Sequence, residues 1–147
     1  MIAQLLIGVA LTMAGIAMSA LGFWLAEVNF ARHRSRLMQP PHRLRLFAVV
    51  SSTAGLVLVM LLAGVTLWAT AFTWLHLFSD FETAFYFALV SYTTLGYGDV
   101  VPRHEWRLLG AMAAANGFIN IGLLTTLLIE GLRHVREGYR RSLDADD

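Results

Sequence analysis

Thr93-Thr94-Leu95-Gly96-Tyr97-Gly98-Asp99 is the stretch of this chain in which residue type and spacing carry chemistry. Two glycines alternate with a tyrosine, two threonines lead in, and an aspartate closes. Gly96 and Gly98 take positive φ without steric penalty, which lets successive carbonyls turn to one side instead of alternating. Thr94 adds a hydroxyl oxygen. A row of oxygens on one wall replaces the hydration shell of a dehydrated cation. The plain alternative is a Gly-Asp turn in a loop. However, the stretch lies between two strongly apolar segments, and non-helical backbone at membrane depth survives only where it is buried in protein or lines a water-filled cavity.

Composition supports that setting. The 147 residues are 57% hydrophobic and only 14% charged, with a mean hydropathy of +0.61. This is the profile of a single-domain membrane protein. Cysteine is absent, which excludes disulfides and thiolate metal sites. All eleven cationic residues are arginine. No nucleophile, base and orienter cluster together and no metal-ligand constellation stands out, so the expectation is a protein that is not an enzyme, needs no cofactor and binds no nucleic acid.

The elements that must position the 93–99 stretch follow from the apolar runs. Residues 1–26 carry no charge and lack the basic start of a signal peptide. They read as a transmembrane helix about 39 Å long. Gly8, Thr12, Gly15, Ser19, Gly22 and Ala26 put small residues on one face, which suits close packing in lipid. The expected partner is the next helix. Residues 28–45, with Arg32, Arg34, Arg36, Arg43, Arg45 and the Pro40-Pro41 pair, read as a polar loop. These arginines are candidates for anionic-lipid contact, although a topology anchor accounts for them equally simply. Residues 46–76 read as an outer helix, with Trp68 and Trp74 in the interfacial aromatic belt. Residues 79–92 read as a helix of about 21 Å, too short to span a bilayer, with Ser79-Asp80-Phe81-Glu82 as a capping box. Residues 106–132 read as the last span and 133–147 as a tail. Arginine is concentrated between the first two spans and after the third, so both regions are expected in the cytoplasm and the N-terminus and the 73–105 segment outside.

The T-x-G-Y-G-D string resembles the selectivity filter of potassium channels, and residues 46–132 resemble that family's pore domain. The resemblance implies a two-helix pore assembled as a homotetramer; with the extra N-terminal span, the chain is expected to be an all-α membrane protein of three transmembrane helices, its re-entrant pore helix and filter lying between the second and third, in a cell membrane of bacterial inner-membrane type. It also implies K+ ligation by the carbonyls of Thr94, Leu95, Gly96 and Tyr97 with the Thr94 hydroxyl, and Gly98 and Asp99 at the outer mouth. Thr93 leads into the filter. Leu95 stands where valine or isoleucine is commoner. Ser91 falls where the family often has a hydroxyl for a neighbour's filter tyrosine. Phe87 falls where many members carry a tryptophan donor, and Val90 replaces a glutamate that holds the filter aspartate in some. The expectation is therefore that Asp99 finds another partner, water being one option, and that the filter has less support behind it. Gly117 and Gly122 are candidates for a gating hinge, and Thr125 for the cavity wall. Asn116 and Asn120 share one helix face and either hydrate an ion in the cavity or tie helices together. Alternatives to a K+-selective channel are a weakly selective cation pore and a non-conducting subunit of another transport complex.

Overall fold

A computed structural model describes residues 1–37 and 42–143. The described residues form four α-helices and one 3-10 turn: α1 (Ile2–Leu37), α2 (His42–Trp74), α3 (Phe81–Tyr92), the turn His104–Trp106, and α4 (Arg107–Leu143). Three of these hold segments long and apolar enough to cross a membrane: Ile2–Val28, Val50–Trp74 and His104–Glu130. Helix is the form in which a lipid-embedded segment satisfies its own backbone polar groups.

Helix ends differ from the sequence expectation. The polar segment 28–45 is largely helical, because α1 runs on to Leu37 and α2 already begins at His42. Arginine and alanine are good helix formers, so polarity alone does not break the helix. Pro40-Pro41 lies outside the described residues, as do the side chains of Arg32, Arg34, Arg36, Arg43 and Arg45, on which the lipid expectation rests. At the other end, α4 continues past residue 132 to Leu143. The short helix α3 starts at Phe81, with Asp80 and not Ser79 as its cap. Asp80 Oδ1 accepts from the Thr83 backbone N–H at 2.8 Å, which relieves one orphan donor of the first turn. The same hydrogen bond, joined by those from the Ser79 and Thr83 hydroxyls, holds the Asp80 carboxyl below the usual carboxylate range.

The core lies where α2, α3 and α4 meet. Trp68, Phe72 and Val65 of α2, Ala84, Ala88 and Tyr92 of α3, and Leu109 and Ala113 of α4 are fully or almost fully buried. Trp68 therefore belongs to the core and not to the aromatic belt, with its ring centroid 5.6 Å from that of Phe72. Trp74 is 79% exposed, as a belt residue would be.

The small-residue face of α1 packs mainly on α4 and not solely on the next helix. A Cβ at Gly8 would overlap Met112 Sδ, and one at Gly15 would come 2.8 Å from Asn116 Nδ2; only Gly22 faces α2, at Met60. Close approach at glycine gains dispersion contacts where the hydrophobic effect offers nothing. Near the start of the chain, Gln4 Nε2 donates to the Glu105 carbonyl, tying this end of α1 to the start of the last span.

Candidate functional site

The 93–99 stretch begins as the cap of α3. Thr93 N–H donates to Leu89 O at 3.0 Å, Thr94 N–H to Ser91 O at 2.9 Å, and the Leu95 and Gly96 amides both reach Val90 O, at 3.0 and 3.2 Å. The Thr93 hydroxyl also donates to Leu89 O at 2.7 Å. Four consecutive amides thus serve the open carbonyls at the helix end. This anchors the first half of the stretch to a rigid element.

Beyond the cap, φ alternates in sign. It is +63° at Thr94, +59° at Gly96 and +77° at Gly98, while Leu95 and Tyr97 are not among the positive-φ residues. Alternation of right- and left-handed backbone gathers like polar groups on one side of a chain instead of splaying them as in a strand. The two glycines were legible as positions for positive φ. Thr94 was not: a β-branched residue with φ > 0 is an outlier, and the left-handed conformation costs it about 1–2 kcal/mol. It sits just past the helix end, where a left-handed residue lets the following amides turn back onto the last turn.

Residues 94–99 are all exposed, Leu95 at 58% and Tyr97 at 67%. The outer end has a partner that the sequence expectation missed. Tyr86 Oη donates to Asp99 Oδ2 at 2.6 Å, so Asp99 has a protein partner on α3. That hydrogen bond depresses the Asp99 carboxyl and raises the Tyr86 hydroxyl. The missed signal is helical: Tyr86 adjoins Phe87, and it lies on the outward side of α3, whereas Phe87 turns into the core.

On α4, Gly117 lies against the end of α3. A Cβ there would overlap the Tyr92 carbonyl oxygen and come 2.6 Å from Tyr92 C and Cα. Close backbone approach, independent of any hinge, requires glycine at this position. Asn116 and Asn120 are both fully buried. Asn120 Nδ2 donates to Asn116 Oδ1 at 2.6 Å, and Ser19 Oγ of α1 donates to Asn120 Oδ1. Asn120 thus ties α4 to α1, and Asn116 is joined to it within α4. Gly122 and Thr125 lie on an exposed stripe with Phe118, itself 72% exposed.

A groove of about 390 Å³ runs behind the stretch, lined among others by Phe87, Ser91, Thr94, Gly96, Gly110 and Arg107. It lies between the stretch, α3 and the outer part of α4.

The sequence model of the family described as "Ion channel" matches residues 60–134, half of the chain. The chain is 32% identical over 90 residues to the Shaker-related potassium channel tsha2 of Oncorhynchus mykiss, covering 56% of this chain and 19% of that protein. It is 33% identical over 58 residues to the potassium voltage-gated channel protein shk-1 of Caenorhabditis elegans (39% and 11%). It is 28% identical over 94 residues to TWiK family of potassium channels protein 18 of the same organism (63% and 20%). The chain belongs to the potassium-channel pore-domain family. It spans about a fifth or less of the length of these curated relatives, and no solved structure matches it. With three apolar helices of spanning length, this pore-domain protein is a multi-pass membrane protein.

Two departures from the family pattern acquire a physical reading. Phe87 has no hydrogen to donate, but its ring packs 5.4 Å from Phe72 and 5.1 Å from Phe78, so it works as core. Val90 offers no carboxylate, yet its backbone carbonyl anchors two amides of the 93–99 stretch. The 93–99 stretch is held by the Tyr86 hydroxyl at Asp99 and by backbone hydrogen bonds to the end of α3.

Proposed function

We propose that the chain is one subunit of a homotetrameric, K+-selective channel. Thr94, Leu95, Gly96 and Tyr97 contribute carbonyl ligands, the Thr94 hydroxyl adds one more, and Gly98 and Asp99 frame the outer mouth. The observation that carries this reading is the alternation of φ at 94, 96 and 98 in a segment fastened to the end of α3. One chain supplies one wall of oxygens, and a cation needs ligands on all sides. Closed cyclic symmetry meets that need, and the exposed 94–99 backbone and the groove behind it are the surfaces that other copies would cover. The negative end of the α3 dipole favours a cation near its C-terminus. K+ is the cargo; the mechanism calls for no cofactor. Orientation follows from arginine: N-terminus and filter outside, Arg-rich segments in the cytoplasm, where Arg32, Arg34, Arg36, Arg43 and Arg45 are available to anionic lipid.

Gly96→Ala tests the filter assignment. A Cβ at Gly96 meets nothing within 4 Å of its own chain, so the penalty is conformational. At about 1–2 kcal/mol per left-handed residue, four chains impose about 4–8 kcal/mol on the conducting filter, enough to depopulate it. The expected result in K+-flux measurements on liposomes is lost conduction or lost selectivity with the tetramer intact. Normal K+ flux with unchanged K+/Na+ selectivity would remove 94–98 from the role of filter.

A further inference from the structure

Tyr92 is the last residue of α3 and immediately precedes the 93–99 stretch. It is 1% exposed, one of the largest fully buried side chains among the described residues. Two glycines from two different spans are fitted to it. On α2, a Cβ at Gly64 would overlap the Tyr92 hydroxyl oxygen and come 2.8 Å from Cζ. A glycine in a helix interior costs stability relative to alanine, and here the phenol takes up the space that the missing methyl leaves. On α4, Gly117 meets the other end of the residue, its main chain. Phenol tip and backbone are thus held from opposite sides, one by α2 and one by α4.

This grip bears on where the stretch starts. The amides of residues 93–96 turn back onto the carbonyls of Leu89, Val90 and Ser91. The Tyr92 carbonyl accepts none of those four and faces Gly117 instead. Trp68 and Phe72 of α2, and Leu109 and Ala113 of α4, share one buried cluster with Tyr92. Side chains occupy discrete rotamers, and close-packed interiors transmit displacement instead of absorbing it. A change in the room at position 64 therefore moves the ring, and the ring moves the main chain from which Thr93 and Thr94 depart.

We infer that Tyr92 is a positioning residue: gripped between Gly64 of α2 and Gly117 of α4, it sets the place and direction in which residues 93–99 leave α3, and the fit of its phenol tip against position 64 sets K+ selectivity. The selectivity part rests on the channel reading; the grip on the 93–96 backbone does not.

A size-swap cycle on the full chain tests this, read by hydrogen exchange in lipid nanodiscs and by reversal potentials in bilayers under opposed K+ and Na+ gradients. Tyr92→Leu removes the tip that reaches Gly64, and Gly64→Ala drives a methyl into it. Each single variant speeds exchange of amides 93–96 about tenfold while amides of α1 stay unchanged, and each moves the reversal potential away from the K+ equilibrium potential. In Gly64→Ala/Tyr92→Leu the added methyl occupies room that the shorter side chain leaves. Both readouts then return most of the way, the non-additivity of residues in contact. If Gly64→Ala does not assemble, Tyr92→Leu and the double variant decide in the same way. A double variant no better than the worse single, or unchanged exchange at 93–96 in Tyr92→Leu, overturns the grip. A lowered thermal midpoint with an unmoved reversal potential makes Tyr92 core packing alone and overturns the positioning role. Absence of K+ current from the unmodified chain, with the exchange cycle as expected, removes the channel reading and leaves the grip standing.

Discussion

Tyr86 and Asp99 show how a single side chain substitutes for missing chemistry. Position 90 is valine, and in the proposed filter the Tyr86 hydroxyl, 2.6 Å from Asp99 Oδ2, would take the role of a carboxylate there. The hydrogen bond lowers the Asp99 carboxyl from its ordinary value. A carboxylate depressed in the native state contributes stability above its ordinary pKa, and that contribution is lost as pH falls through the depressed value. Tyr86→Phe removes the largest cause of the depression. Asp99 in that variant protonates at higher pH, and conduction fails at a less acid external pH than in the unmodified channel. Current recorded during external acid titration measures this; identical acid thresholds would show that Tyr86 does not hold the outer mouth. The positive φ of Gly96 and Gly98 was legible because Gly-Tyr-Gly encodes backbone freedom directly. The strained Thr94 was not legible, because its left-handed conformation is imposed by the helix end it caps. Tyr86 was hidden because an aromatic on a short membrane helix reads equally well as core or interface.

At the scale of elements, the need for glycine at position 117 of α4 is set by what lies against it. At Gly117 a Cβ collides with the Tyr92 backbone, which cannot rotate away. Gly117→Ala therefore destabilises the fold by about 1–3 kcal/mol, the usual cost of overpacking. Thermal unfolding in detergent should show a lowered midpoint; an unchanged midpoint would mean that α3 and α4 do not meet as described. The existence and order of the helices were readable from apolar runs, and α3 from its length and acidic start. Helix ends were not, because an Arg-rich segment is polar and yet helix-forming, as the run of α1 to Leu37 shows. The partner of α1 was unreadable for another reason. Small residues at Gly8, Gly15 and Ser19 mark a face that packs closely, but they do not say against what. Likewise the i, i+4 spacing of Asn116 and Asn120 defines a shared face without choosing between a cavity and a neighbouring helix. Ser19 of α1 donates to Asn120, a contact that spacing within α4 cannot reveal.

For the whole molecule, the single chain is incomplete as a conductor. The exposed 94–99 backbone is non-helical, and lipid cannot satisfy its polar groups at membrane depth. Four-fold closure is the proposed solution, and cross-linking in native-like lipid should saturate at four chains. A stable monomer or dimer as the only species would refute it. The central claim, selective passage of K+, is tested most directly by the reversal potential of single channels from purified protein in bilayers under opposed K+ and Na+ gradients. A dehydrated cation replaced at its hydration shell by fixed carbonyls discriminates between the two ions, so the current should reverse close to the K+ equilibrium potential. Reversal midway between the K+ and Na+ equilibrium potentials, or no unitary current at all, would contradict it.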